Sequence, residues 1–520
     1  MKKHLLSFII IALVSSSVFG QGRFQKVFSK LYEGRSVKQT ADGGYIISGG
    51  NNAYLLKLDA AGNVVWNKTY GDSSYVLNSV EQTTDGGFVA AGKITNLSLS
   101  DVFLVRTNAA GDTLWTKNYG GVSYDYAYSV RQTPAGGFII AGYSESFNST
   151  GVYIIETDQN GNILWTKSYG NTLFDYASEV QNTSDGGFII TGTAYDTSNF
   201  SIDMGVVKLN GAGDTLWTRS FYCSGTNKGP GGKSVVQTTD GGYIVLGNSD
   251  AAYQMSGQSP LIRLNPNGDT LWTRSLYFQY GSNNLSSIKQ TPDGGFIIAG
   301  SFLASGVAFT GSLPLLIKIN GNGDTLWTKK YGEVSHYNSY INDVERTNDG
   351  GFVMTGYTQD WGGGTYLIKT DSLGNSTCDD GSADFSYLKF PIVRHSGTKL
   401  ASGGAQHDTT ITIGIADTTN LDPCHAGSGI IENVETGGFL VYPNPASDNI
   451  TVSISQKATI QILNIEGQIV KSVEVNGDKN KVDHVGLSSC VVNVSALCSG
   501  VYVLEVITEE GVGLKKFVKE

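Results

Sequence analysis

Aromatic side chains sit beside carboxylates at several points along this 520-residue chain, at places where a variable segment gives way to a strand-like one. Tyr124-Asp125-Tyr126 is answered fifty residues later by Phe174-Asp175-Tyr176, and His336-Tyr337 and Asp360-Trp361 add two more clusters. An aromatic face packs on a sugar ring or a peptide side chain, and a neighbouring carboxylate accepts the hydrogen of a hydroxyl or amide. Tyr126, Tyr176, Tyr337 and Trp361 are therefore candidate anchors for a ligand, with Asp125, Asp175 and Asp360 as acceptors. The plainer reading of Asp125 and Asp175, which occupy matched positions, is that each caps its own loop. Hydrolysis or elimination on a glycan would need two carboxylates converging on one bond. Asp175, Glu333, Asp343 and Asp360 are available for that, but they are scattered along the chain and no catalytic signature recurs.

Metal and cofactor chemistry has little to build on. The six His, at 4, 336, 395, 407, 425 and 484, form no His-x-x-x-His pair, and the five Cys form no Cys-x-x-Cys pair. Neither a metal nor a cofactor is expected. In an oxidising compartment Cys378 could pair with Cys424 and Cys490 with Cys498, one of three connectivities open to four Cys, leaving Cys223 odd. The turns NPNGD at 265–269 and NGNGD at 320–324 carry one Asp each and no Glu at the twelfth position, so they read as hairpin turns rather than calcium loops. Asp59, Gly62 and Trp66 resemble the tryptophan-docking motif of quinoprotein dehydrogenases, but one residue is missing between Asp and Gly. No phosphate-binding Gly loop and no nucleophile elbow occurs.

The elements that would position these residues are repeats. SVKQTADGGYIISGG at 36–50 returns as SVEQTTDGGFVAAG at 79–92, and the first Gly of the Gly-Gly pair falls at 43, 86, 136, 186, 241, 294 and 350. A second phrase follows, YLLKLDAAGNVVWNKTYG at 54–71 and its relatives, with Trp66, Trp115, Trp165, Trp217, Trp272 and Trp327 in register. Seven copies spaced 43 to 56 residues apart predict a propeller or solenoid before any other fold. Each copy reads as four antiparallel strands: a short alternating segment, a tight Gly turn, a fully apolar strand, a variable stretch, and a hairpin ending in the Trp strand. The seventh copy stops after YLIKTDSLGN at 366–375 without its Trp strand. Residues 23–30 supply a replacement, since Phe24 lies 19 residues before Gly43 and Trp115 lies 21 before Gly136. The prediction is an all-β, seven-bladed β-propeller over 21–376, closed by strands from both of its ends, followed by an irregular linker at 377–430.

Composition agrees. Gly numbers 67 and Tyr 27, while charged residues are only 16%, which suits many short strands and tight turns. Lys plus Arg total 36 against 46 Asp plus Glu, a net charge of -10 that argues against a nucleic-acid partner. Residues 1–20 read as a signal peptide, with Lys2 and Lys3 before an apolar run and Val18 and Gly20 at the cleavage site. The run is too short for a membrane helix, and no later segment is apolar enough for one.

From Ile431 a new β pattern begins. Tyr442-Pro443-Asn444-Pro445, Gly467, Gly500-Val501-Tyr502 and the final Lys-Phe-Val-Lys closely resemble the type A C-terminal sorting domain of type IX secretion substrates in Bacteroidetes. The resemblance implies that 431–520 form a small immunoglobulin-like β-sandwich, recognised by the type IX machinery, and that the cargo is secreted or held at the outer-membrane surface. The repeats resemble the Asp-Gly-Gly propeller repeats that accompany such domains, a family with no agreed activity. Short turns of one sequence type should lie on one face of the ring and the variable loops on the other. That variable face is expected to bind a glycan or a protein. The alternative is a carbohydrate-active enzyme, hydrolase or lyase, on the same scaffold.

Overall fold

The structure is a computed structural model. It describes residues 22–96, 99–147, 151–169, 176–196, 201–223, 231–248, 259–277, 281–304, 311–332, 338–360 and 363–377, together with short stretches between 380 and 519. The signal peptide expected at 1–20 lies outside the described residues. By internal contacts the chain divides into one unit ending at Cys424 and a second beginning at His425.

One repeat shows how the sequence makes its sheet. The strands β2 (Gly34–Gln39), β3 (Tyr45–Gly49), β4 (Tyr54–Leu58) and β5 (Val64–Thr69) pair in order, all antiparallel. The β2–β3 turn needs a left-handed residue, and Gly43 supplies it at φ 80°. Asp42 then accepts the Gly44 N–H at 3.0 Å and the ammonium of Lys57 at 2.8 Å. Lys57 is itself buried on β4, so the turn Asp neutralises a charge inside the sheet. Every residue of β3 is buried, as a strand sandwiched on both faces must be.

The same four-stranded pattern recurs in six further sheets among the described residues, giving a propeller-like arrangement. Their first strands are Tyr75–Gln82, Asp125–Gln132, Tyr176–Asn182, Gly231–Gln237, Gly281–Gln290 and Ser339–Arg346. Each first strand contacts the first strand of the next sheet, and that of the last sheet contacts β2. Successive sheets are joined at their outer rims as well. A side chain on Gly111 would come within 2.9 Å of the Trp66 ring, so the indole of one sheet seats on a bare Gly turn of the next. The Tyr70 hydroxyl donates to Gly111 O at 2.7 Å across the same seam. The recurring Trp is thus a packing residue.

The seventh sheet takes its outer strand from the start of the chain. β1 (Phe24–Ser29) pairs antiparallel with Gly364–Thr370, in register from Phe24 opposite Lys369 to Ser29 opposite Gly364. Phe24 stands where the other sheets carry Trp, with its ring against Gly62 of the first sheet.

The segment that sequence reads as an irregular linker carries short strands. Asp380–Gly381, Ser386–Leu388, Ile392–His395, Leu400–Ala401, Ala405–Asp408 and Thr419–Leu421 each add antiparallel to the outermost strand of a different sheet. The order runs backwards, from the sixth sheet to the second, and then to β1 of the seventh. These short strands therefore form a belt around the rim. Edge pairing uses backbone N–H and C=O groups, so it needs no side-chain periodicity to announce it.

In the second unit, Leu440–Tyr442, Asn449–Ile454 and Ser488–Asn493 form one antiparallel sheet, and Ile469–Val475, Ala458–Leu463, Gly500–Thr508 and Gly511–Lys519 a second. Ile450, Val452 and Val492 from the first share a core with Ile460, Ile462, Leu504 and Val506 from the second. Cys490 is a half-buried free thiol on the first sheet; its expected partner Cys498, like Cys378 and Cys424, lies outside the described residues.

Candidate functional site

The first strands enclose a cavity of about 420 Å³. Each contributes two consecutive residues. The inner of the two is small or acidic: Ser36, Ser79, Ser129, Glu179, Ser234, Ser287 and Asp343. The outer, nearer the variable loops, is more varied, with five residue types in seven sheets: Arg35, Asn78, Tyr128, Ser178, Lys233, Ser286 and Asn342. The inner tier is structural. Ser79 Oγ accepts the Val130 N–H and Ser129 Oγ the Val180 N–H, both at 3.2 Å, so the second and third sheets are each stitched to the next. Glu179 takes the Ser role toward Val235 at 3.0 Å, and Asp343 toward Val37 at 3.1 Å.

Below this tier lies a buried charge network. Arg131 pairs with Glu179 at 2.9 Å, and Lys38 with Glu345 at 2.8 Å. Lys289 lies 3.9 Å from Glu179 and 3.8 Å from Asp343. Burial opposes ionisation of Glu179, but Lys289 and Arg131 outweigh it and hold the carboxyl below its ordinary range. Asp343 is likewise held down, with burial overcome by Lys38 and Lys289. Glu81 is the contrary case: burial dominates and pushes it up, with Arg131 and Lys38 offsetting only part. At the mouth, Glu33 accepts from Arg35 at 2.5 Å and from the Tyr340 hydroxyl at 2.6 Å.

Aromatic residues gather on one side of the mouth. Tyr128 and Tyr176 both line the cavity, with ring centroids 5.8 Å apart. Tyr126 stacks on Tyr143 at 5.9 Å and 18°, with the Lys93 ammonium 4.7 Å from its centroid. Tyr128 keeps 37% of its surface exposed although protein surrounds it, and burial together with Tyr176 and Tyr126 pushes its hydroxyl up to about 12.

The residues anticipated from sequence fall into three groups. Tyr176 lines the cavity, and Tyr126 belongs to the adjoining aromatic group. Asp125 requires a correction: it is fully buried, its Oδ2 accepting from the Gly121 N–H at 2.9 Å and Ser146 Oγ at 2.6 Å, so it ties its own loop and does not face the cavity. Asp360 is half-buried beside Ser339 and does not line the cavity. Asp175, Tyr337 and Trp361 lie outside the described residues. Sequence reasoning overlooked Tyr128, Ser178 and Lys233. Their signal was present: in phrases otherwise alike, the residue before the Ser or acid is among those that change.

Residues 440–520 match the family described as the secretion system C-terminal sorting domain, which supports export by the type IX system to the cell surface or beyond. No curated protein matches the chain. Among solved structures, the extracellular domain of the putative one-component system BT4673 from B. thetaiotaomicron is 12% identical, with a TM-score of 0.37. That alignment covers 95% of this chain but only 56% of the other, so this chain spans little more than half of its length. Sqt1 from Chaetomium thermophilum is 13% identical at a TM-score of 0.39, covering 65% of this chain and 83% of that one. A putative gluconolactonase is 13% identical at 0.31, covering 60% and 95%. Among the described residues no helix is long and apolar enough to cross a membrane.

Proposed function

We propose that the chain is a type IX secretion cargo whose first unit is a closed seven-bladed propeller that binds an extracellular glycan or protein at the mouth of its axial cavity. The second unit, with three and four strands around one core, is read as the immunoglobulin-like sorting domain that delivers it. One observation carries the binding reading: the scaffold tier of the cavity is nearly uniform, while the tier above it holds five residue types in seven blades and faces an open mouth with Tyr128 and Tyr176 on one side. Uniform residues hold a ring together, and residues that differ around a symmetric ring make it read a ligand.

The enzyme reading has less support. Acid–base work on a glycosidic bond needs one carboxyl that keeps its proton beside one that does not. Glu179 and Asp343, which line the cavity, are both held ionised, and Glu33 is already committed to Arg35 and Tyr340.

The test is a glycan array and a surface-protein pull-down with the full chain, followed by Tyr128→Ala and Tyr176→Ala. Each stacked ring is worth about 0.5–1.5 kcal/mol, so each variant should bind several-fold more weakly with a nearly unchanged Tm. Unchanged binding in both variants would remove the mouth from consideration.

A further inference from the structure

Three cations and three carboxylates line the cavity, but they are not all paired off. Glu33 is met by Arg35, Glu179 by Arg131 and Lys289, and Asp343 by Lys38 and Lys289. Lys233 is different. It lines the mouth, half-buried, on Gly231–Gln237, and among the described residues it makes no hydrogen bond or ion pair. A half-buried ammonium without a counter-charge is costly unless something supplies one. The neighbouring sheet holds a second unmet group at the matched position. Ser178 Oγ is out of solvent and has no hydrogen-bond partner. Tyr176 reaches across the same seam, since a side chain on Gly231 would lie 3.8 Å from its hydroxyl.

One small region thus combines a single free cation, a hydroxyl in want of a partner, and the paired rings of Tyr128 and Tyr176. We propose that the mouth binds an acidic saccharide residue: the rings pack on the sugar face, Lys233 takes the one negative charge of a carboxylate or sulfate substituent, and Ser178 bonds a ring hydroxyl. This rests on the mouth being the binding site. The cavity is within the range of roughly 300–1,000 Å³ usual for small-ligand sites. A phosphorylated or strongly acidic peptide would call for several free cations, and only one is present among the described residues lining the cavity. Carboxylate and sulfate have the same monoanionic chemistry here, and the choice between them is left to the probes.

The experiment is calorimetric titration of the full chain with three oligosaccharides of similar length: oligogalacturonate (carboxylated), a carrageenan fragment (sulfated) and cellohexaose (neutral). At least one acidic probe should bind ten-fold or more tightly than the neutral one, and its affinity should fall as salt is raised. Lys233→Met should cost that preference without shifting Tm, and Lys233→Arg should retain it, which guards against a folding defect. Equal binding of the neutral probe, or undiminished acidic binding by Lys233→Met, overturns the proposal. If that happens while Tyr176→Ala still weakens whatever saccharide is bound, the mouth stands as the site and only its charge preference falls. No binding of either acidic probe also overturns the inference, leaving the mouth to be judged by the tyrosine variants on ligands from the array.

Discussion

The carboxylate of Asp343 accepts the backbone N–H of Val37 at 3.1 Å, joining residues 306 positions apart in the chain. Ser36 donates to the same oxygen at 3.1 Å, and Lys38 and Lys289 each lie 3.8 Å from the carboxylate. This contact closes the circle of first strands at the seam between the last sheet and the first. At the same inner position five sheets use Ser, and Ser79, Ser129 and Ser234 each accept the neighbouring N–H without any charge. Asp343→Ala should leave the Val37 N–H unmet and two buried cations undercompensated, a loss of about 3 kcal/mol. Asp343→Ser should recover the hydrogen bond and fall between the two. Denaturant unfolding of the three proteins checks the order, and equal midpoints for all three would show that the seam is held elsewhere.

The turn aspartates make a second prediction, this one in pH. Six sheets pair the turn Asp with a buried Lys or Arg, as Asp293 does with Lys318 at 2.9 Å. The third sheet has lost both at once: Ala135 replaces the Asp, and Glu156 stands in place of the cation. At Asp293 burial opposes ionisation, but the bonds from Thr291 and Lys318 prevail and hold it at about 2; Asp185 and Asp240 are held there as well. An unfolded Asp titrates near 3.9. The folded value is the lower, so these groups stabilise the fold fully above about pH 5 and lose that contribution as pH falls toward 2. Tm measured from pH 7 to pH 2 should fall most steeply in the last two units. Asp293→Ala alone should cost about 2 kcal/mol, because Lys318 stays buried. Adding Lys318→Met should restore most of it, because no buried cation is then left unpaired. A double variant no better than the single would refute the pairing.

The four-stranded repeat, its Gly turns and its Trp seams were legible because each is written in side chains at fixed spacing. β1 was legible for the same reason, since Phe24 occupies the Trp position at nearly the Trp distance from the Gly-Gly turn. The candidate site was less so. Asp125 carries one sequence signature for two roles, loop cap and ligand acceptor, and only its burial separates them. Attention to variable loops passed over Lys233 and Tyr128, which sit on strands inside the most regular phrase of the repeat. The belt was illegible for a deeper reason: its pairing uses the backbone amides that every sequence has.

That belt supports the last prediction. Ala405–Asp408 pairs with the outer strand Thr113–Gly120, setting Gln406 opposite Tyr119 and His407 opposite Asn118. Without it, outer strands of six sheets would present unpaired N–H and C=O groups to solvent. Such edges exchange their amide hydrogens quickly and recruit strands from other molecules. Replacing residues 380–421 with a Gly/Ser linker of equal length should speed amide exchange in Thr113–Gly120, Ile163–Tyr169 and Thr325–Tyr331, and should promote self-association. The first strands around the axis, such as Asp125–Gln132, should keep their protection, because their partners are other strands of their own sheet. Ligand binding at the mouth should survive for the same reason. Unchanged exchange in the outer strands would mean that the belt adds nothing to the edges it covers; loss of protection throughout would mean that the first unit cannot fold without it.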